Sequence, residues 1–307
     1  MTEEVDRKIQ ERKDVISRWF KNQHNLILVA VILLGAIIRL YYFSLTKDQA
    51  LWWDALSYGS IAKTFFLSGD WAGSSAIVAG EILIRPPLFP FLWGLLMKIG
   101  FSELLSKFAL QFIPSVLSIF FVYLIGKKMY GHKEGLIAAF ILAMSWIHIF
   151  YSMRMLTGMP SLFLAAISIY YFFKSQDASN QKYFALSIFF LSLSLMMRYP
   201  MGLLGLTYLI LLFTTSGLSF LKKSTFWKGG LIGILPIILL FIVNMLFVGS
   251  FFPALDQYYG EGNSGLSKFG FGYNAWGFLS HILQTPLYYA FLLGLIATVI
   301  SLVIGFD

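Results

Sequence analysis

The sequence predicts an all-α, polytopic transmembrane helix bundle of about eight spans, and three observations carry that prediction. Of 307 residues, 58% are hydrophobic and only 12% charged, about half the charge of an ordinary soluble domain. Mean hydropathy is +0.75. The apolar residues also fall into runs approaching the roughly 20 that a membrane-crossing helix needs, separated by short charged clusters. A soluble enzyme is excluded, because so little charge would leave apolar surface facing water. A disulfide scaffold is excluded by the absence of cysteine. A disordered or collagen-like chain is excluded by the dominance of apolar side chains over 26 Gly and 9 Pro.

Residues 1–24 read as a polar cytoplasmic tail of mixed charge, with Arg7, Lys8, Arg12 and Lys13 against Glu3, Glu4, Asp6 and Glu11. The apolar stretch Asn25–Leu45 that follows is too long for a signal-peptide core and lacks a small-residue cleavage site, so it reads as an uncleaved first span. The remaining runs are Leu104–Ile125, Gly135–Tyr151, Met159–Phe173, Tyr183–Met197, Met201–Phe213, Gly229–Val248 and Pro286–Ile304. Pro86–Ile99 is shorter and opens on two prolines, which suits a juxtamembrane helix. Its exclusion also fits the charges. With a cytoplasmic N-terminus and no crossing there, Lys127, Lys128 and Lys133, then Lys174 and Lys182, then Lys222, Lys223 and Lys228 all face inward, as the positive-inside tendency requires.

That topology leaves two long outer loops within a transmembrane domain running over residues 25–307. The first, residues 46–103, holds Asp48, Asp54, Asp70, Glu81 and Glu103 with Trp52, Trp53 and Trp71; the second, residues 251–285, is rich in glycine and aromatics. Loops of this length in a compact protein are usually functional or disordered. In Trp52-Trp53-Asp54-Ala55-Leu56-Ser57-Tyr58, followed by Ile61, Ala62 and Phe65, helical spacing sets Asp54 and Tyr58 on one face. A carboxylate beside the bilayer, flanked by indoles, is placed to act as a general base; taken alone it fits a helix-capping aspartate better.

Arg85-Pro86-Pro87-Leu88 puts a guanidinium at the entry of the juxtamembrane helix, suited to bidentate phosphate binding or to snorkelling. Arg154 and Arg198 end two spans on the same outer side. Three converging guanidiniums would suit an anionic lipid head group. Arg39, late in the first span, reads as a functional charge or a snorkelling one. His24, His132, His148 and His281 show no paired ligand spacing, and His148 reads as a hydrogen-bond donor within the bundle. The glycines form neither a phosphate loop nor a dinucleotide fingerprint, and nothing points to nucleic acid.

The order of these elements resembles the GT-C superfamily of polytopic glycosyltransferases, in the protein O-mannosyltransferase-like and aminoarabinose-transferase-like branch. The resemblance is carried by a first span ending in Arg39-Leu40, the outer Trp53-Asp54-(three residues)-Tyr58 helix, Arg85-Pro86-Pro87-Leu88, and Gly126-Lys127-Lys128-Met129-Tyr130-Gly131. It continues through Tyr151-Ser152-Met153-Arg154-Met155-Leu156-Thr157 and Phe247-Val248-Gly249-Ser250-Phe251-Phe252. It covers most of the chain from about Ile32 to Leu302.

The resemblance implies an inverting sugar transfer from a polyprenyl- or dolichyl-phosphate donor to a protein, lipid or glycan acceptor on the outer face of the cell membrane. Asp54 then falls on the catalytic base, Arg85, Arg154 and Arg198 on the donor phosphate, and Tyr58 shapes the site. One position departs from the pattern: Gly158 stands where many relatives carry an acidic residue, so a divalent metal is doubtful and no other cofactor is implied. Relatives usually continue with further C-terminal spans, which are expected to be lacking here. The competing readings are a non-catalytic transporter, a lipid-binding membrane protein or a partner subunit. Charges crowding the outer interface, rather than the bilayer midplane, favour the enzyme.

Overall fold

The computed structural model describes residue 10 and residues 21–64, 85–178 and 180–248. Among the described residues every regular element is helical. Most of the N-terminal tail, residues 65–84 of the first long loop with Phe65, Asp70, Trp71 and Glu81, the second long loop and the span Pro286–Ile304 lie outside them.

Helix α1 (Gln23–Thr46) opens at Asn22, whose side chain accepts the His24 N–H at 3.0 Å. After a short helix α2 (Trp53–Ala62), α3 (Leu88–Lys98) begins behind Pro87. Pro90 is tolerated in its first turn, where no N–H is needed. At 11 residues, α3 is about 16 Å long, well short of the hydrocarbon core. A short α4 (Glu103–Lys107) runs through a π-helical turn, Phe108–Phe112, into α5 (Ile113–Met129). Then come α6 (His132–Met144), α7 (Trp146–Tyr151), α8 (Gly158–Ala178), α9 (Gln181–Met197), α10 (Leu203–Ser216), α11 (Ser224–Gly233) and α12 (Leu235–Val248).

Among the described residues three stretches, Gln23–Thr46, Glu103–Met129 and Tyr199–Lys222, are long and apolar enough to cross a bilayer. A fourth is added if Ser224–Gly233 and Leu235–Leu246, bent by 43°, act as one span. The run Gly229–Val248, expected as one helix, is therefore two, divided at Ile234. The run Gly135–Tyr151 is also two helices, because Ser145 between them is extended, with φ −63° and ψ 113°.

Helix α1 holds that second break. Arg39 donates from Nη1 to the carbonyls of Gly35 (2.8 Å) and Ala143 (3.1 Å), and from Nη2 to the Leu142 carbonyl (3.3 Å) and His148 Nδ1 (2.7 Å). At the end of α6 the Ala143 carbonyl, and the Leu142 carbonyl that also accepts the Ser145 N–H at 3.3 Å, are thus capped by a side chain from another helix. A guanidinium only donates, so His148 accepts at Nδ1 and carries its proton on Nε2; the sequence reading of His148 as the donor is corrected. The snorkelling alternative for Arg39 is corrected too, since the side chain is 0% exposed.

The bundle interior is built from small and hydroxylic residues, as helices in lipid require. Ser168 and Ser187 each donate to the other's carbonyl, at 2.8 and 3.0 Å, and Tyr208 Oη lies 2.8 Å from Ser168 Oγ. Ser194 donates to the Ser161 carbonyl and Ser192 to that of Gly233. Around them, Phe172 stacks on Tyr208 at 4.0 Å between ring centres.

Helices α5 and α6 approach closely at Gly126 and Gly135. A Cβ on Gly135 would stand 2.7 Å from the Lys127 nitrogen and the Tyr123 carbonyl. Gly135→Val is expected to lower the thermal unfolding midpoint in detergent, because overpacking against backbone costs about 1–3 kcal/mol. Ile137→Val, at a lipid-exposed position of the same helix, is the control and leaves the midpoint unchanged.

Candidate active site

The end of the bundle formed by the close of α1, the start of α4, the close of α9 and the loop between α7 and α8 collects the predicted chemistry. Trp52 is extended, and Asp54 falls in the first turn of α2, where the helix dipole favours a carboxylate. The turn is short of apolar demands on that side, because α2 buries its other face: Ala55, Tyr58, Ile61 and Ala62 pack down while Asp54 stays 63% exposed. Tyr58 meets Phe89 of α3 edge-on at 5.3 Å, and Trp93 lies beneath.

Arg85, at the entry to α3, closes the gap between the two elements. Its Nη2 donates to Asp54 Oδ1 at 3.0 Å, and its guanidinium carbon sits 4.9 Å over the Tyr58 ring. Arg85 is 21% exposed and Asp54 63%, so the pair is half-sheltered, and the bond orients the carboxylate. Asp54 Oδ2 makes no hydrogen bond to the described residues.

Arg154 arrives from the other side. The α7–α8 loop is folded tightly on itself, with the Leu156 N–H donating to the Arg154 carbonyl at 2.7 Å. Gln111 pins it to the π-helical turn by donating to the Leu156 carbonyl at 2.8 Å. The guanidinium lies 4.0 Å over Trp52 and 4.8 Å over Phe150, a cation–π arrangement that holds it in place.

An open recess of about 850 Å³ separates these groups, lined by Gln49, Leu51, Trp52, Asp54, Arg154 and Leu156 among others. That lies within the roughly 300–1,000 Å³ of small-molecule sites. The predicted residues therefore divide. Arg85 touches both Asp54 and Tyr58, and Arg154 shares the recess with Asp54. Arg198 does not line it. Its Nη1 lies where a Cβ on Gly158 would be 3.6 Å away, so the residue that departs from the family pattern faces this arginine. Among the described residues no three His, Asp or Glu side chains cluster as a metal site would require.

Lys107 is the residue the sequence reading missed. It looks like one more interfacial cation, yet it is only 6% exposed and lines a small neighbouring pocket of about 10 Å³ with Trp52 and Arg154. The available signal is its spacing from Gln111, one helical turn further along an apolar run.

No significant match to a curated protein or to a solved structure is found. Residues 84–243, slightly more than half the chain, match the family described as dolichyl-phosphate-mannose-protein mannosyltransferase. The segment contains Arg85, Lys107, Arg154, Gly158 and Arg198, while Asp54 and Tyr58 precede it. The match supports the resemblance to GT-C glycosyltransferases at superfamily level, and the chain belongs to the dolichyl-phosphate-mannose-protein mannosyltransferase family.

Proposed function

We propose that the protein transfers a sugar, with inversion, from a dolichyl- or polyprenyl-phosphate donor to an acceptor hydroxyl on the non-cytoplasmic side. Family membership points to a membrane glycosyltransferase with a lipid-linked donor. The observation that carries the reading is the recess itself, which sets a carboxylate and an arginine across one cavity at the bundle's end.

The acceptor oxygen forms a bond to the anomeric carbon as the bond from that carbon to the phosphate oxygen breaks. Asp54 takes the acceptor's proton, and the electron pair leaves with the lipid phosphate. Arg85 holds Asp54 through one oxygen, leaving the other to meet the hydroxyl. Arg154 stabilises the charge that develops on the phosphate, where preorganised cations contribute most. Arg198, beside the start of α8, stands outside the recess lining and is assigned no contact with the phosphate.

The sidedness is supported by the opposite end of the bundle. Lys127, Lys128, Lys133, Lys182, Lys222, Lys223 and Lys228 flank the helix ends remote from Asp54, as expected for cytoplasmic loops.

The test is transfer by the purified chain, reconstituted in vesicles, from radiolabelled dolichyl-phosphate mannose and a panel of other lipid-linked sugars to Ser/Thr peptides, lipids and glycans. Label in an acceptor supports the reading. Donor binding without transfer to any acceptor would indicate a lipid-binding or partner subunit instead, and neither binding nor transfer would overturn the reading altogether.

A further inference from the structure

Helix α9 closes near the recess, so its start lies at the other end of the bundle, and there α9 and α11 run side by side. A Cβ on Gly229 would stand 3.1 Å from the Gln181 carbonyl, and one on Gly233 would stand 2.8 Å from the Ala185 carbonyl. The contact advances four residues on both helices together, so the two are parallel and begin at the same membrane side. Glycines draw the axes together along one seam. Beside that seam an open groove of about 660 Å³ remains.

The groove is graded along the helix axis. Asn180, Gln181 and Lys182 line its outer end, and Leu186, Phe189 and Ile232 line it further in. From Asn180 to Phe189 the rise is about 14 Å, close to the roughly 15 Å of hydrocarbon in one leaflet. No carboxylate lines the groove. Lys182 stands in the first turn of α9, which carries no acidic residue and where the helix dipole favours an anion. Among the described residues Lys182 forms no ion pair. Lys228, exposed on α11, precedes Ile232 by one helical turn and so shares its face. Lys174 differs, because its ammonium is held over the Tyr170 and Tyr183 rings, 4.3 Å from the latter.

We infer that this groove binds an anionic glycerophospholipid of the leaflet opposite the recess, with its phosphate beside Lys182 and Lys228 and one acyl chain along Leu186, Phe189 and Ile232. A soluble anion would leave the apolar length of the groove uncovered, and a neutral lipid would leave the lysines without a counter-charge. An anionic amphiphile matches both ends. Basic pockets between membrane helices recognise anionic head groups in this way. The inference is independent of the sugar-transfer reading, since the groove shares no residue with the recess.

The test offers the full chain in detergent equal amounts of dioleoyl phosphatidylglycerol and dioleoyl phosphatidylcholine, and counts the lipids retained by native mass spectrometry. Wild type should retain phosphatidylglycerol in preference by about fivefold or more, the factor one lysine beside a head group contributes. Lys182→Gln should remove most of that preference while phosphatidylcholine retention stays unchanged. Leu186→Trp, which fills the groove and leaves both lysines in place, should lower phosphatidylglycerol retention as far. Lys133→Gln, an exposed lysine of α6, is the control and should keep the preference. A wild type without preference, a preference that survives in the Lys182→Gln/Lys228→Gln double variant, or an equal loss in Lys133→Gln would overturn the site.

Discussion

Asp54→Asn, in the reconstituted protein, is expected to slow sugar transfer by about 10²–10⁴-fold, the usual contribution of a positioned general base. Asparagine preserves the shape of the side chain and can still accept from Arg85 through its carbonyl oxygen, so the α2–α3 contact at 3.0 Å has a substitute. What it cannot do is take a proton. Binding of polyprenyl phosphate should persist, because Arg154, the cation assigned to the phosphate, lines the recess apart from Asp54. Single-turnover rates measured beside equilibrium binding separate the two effects. Wild-type turnover by this variant would remove Asp54 from the reaction.

The second large effect concerns the fold. Arg39→Met is expected to destabilise the bundle by about 3–5 kcal/mol, as when one partner is removed from a buried polar network. The replacement approximates the apolar stem but strands the Ala143 carbonyl and the Nδ1 of His148 and leaves the Leu142 carbonyl with only the Ser145 N–H. In lipid no water is at hand to replace it. Thermal unfolding in detergent should show the loss, and His148→Phe alone should cost less, because three of the four Arg39 acceptors remain. An Arg39→Met midpoint equal to wild type would show that the α6–α7 break stands without α1.

How much was legible in the sequence follows from what kinds of signal were available. The apolar run Asn25–Leu45 and the prolines before Leu88 announce α1 and α3, because length and ring constraints are local. The break at Ser145 is not announced. One serine in an apolar run is compatible with an uninterrupted helix, and its cause, Arg39, lies about a hundred residues earlier. At the site, charge type and membrane side pointed to Asp54, Arg85 and Arg154, but not to the division between them. Pairing between Asp54 and Arg85 depends on how α2 lies against α3, which is a matter of the Tyr58, Phe89 and Trp93 packing. Lys107 stayed hidden because its meaning comes from burial, and interfacial lysines look alike in sequence. Arg198 looked equivalent to Arg154, yet only one of them borders the recess.

The π-helical turn at Phe108–Phe112 has a bearing on how such a protein could change its specificity. An α-helix advances about 100° per residue, and a π-turn amounts to one inserted residue. Deleting Ala109 would return the segment to α-helical pairing within that one turn, while the packing of Ile119 and Tyr123 further down the same rod is left as it was. The loop pinned by Gln111 and the shaft beneath it are thus set by separate stretches of chain, so that a wall of the recess can change without rebuilding the Ile119 and Tyr123 packing.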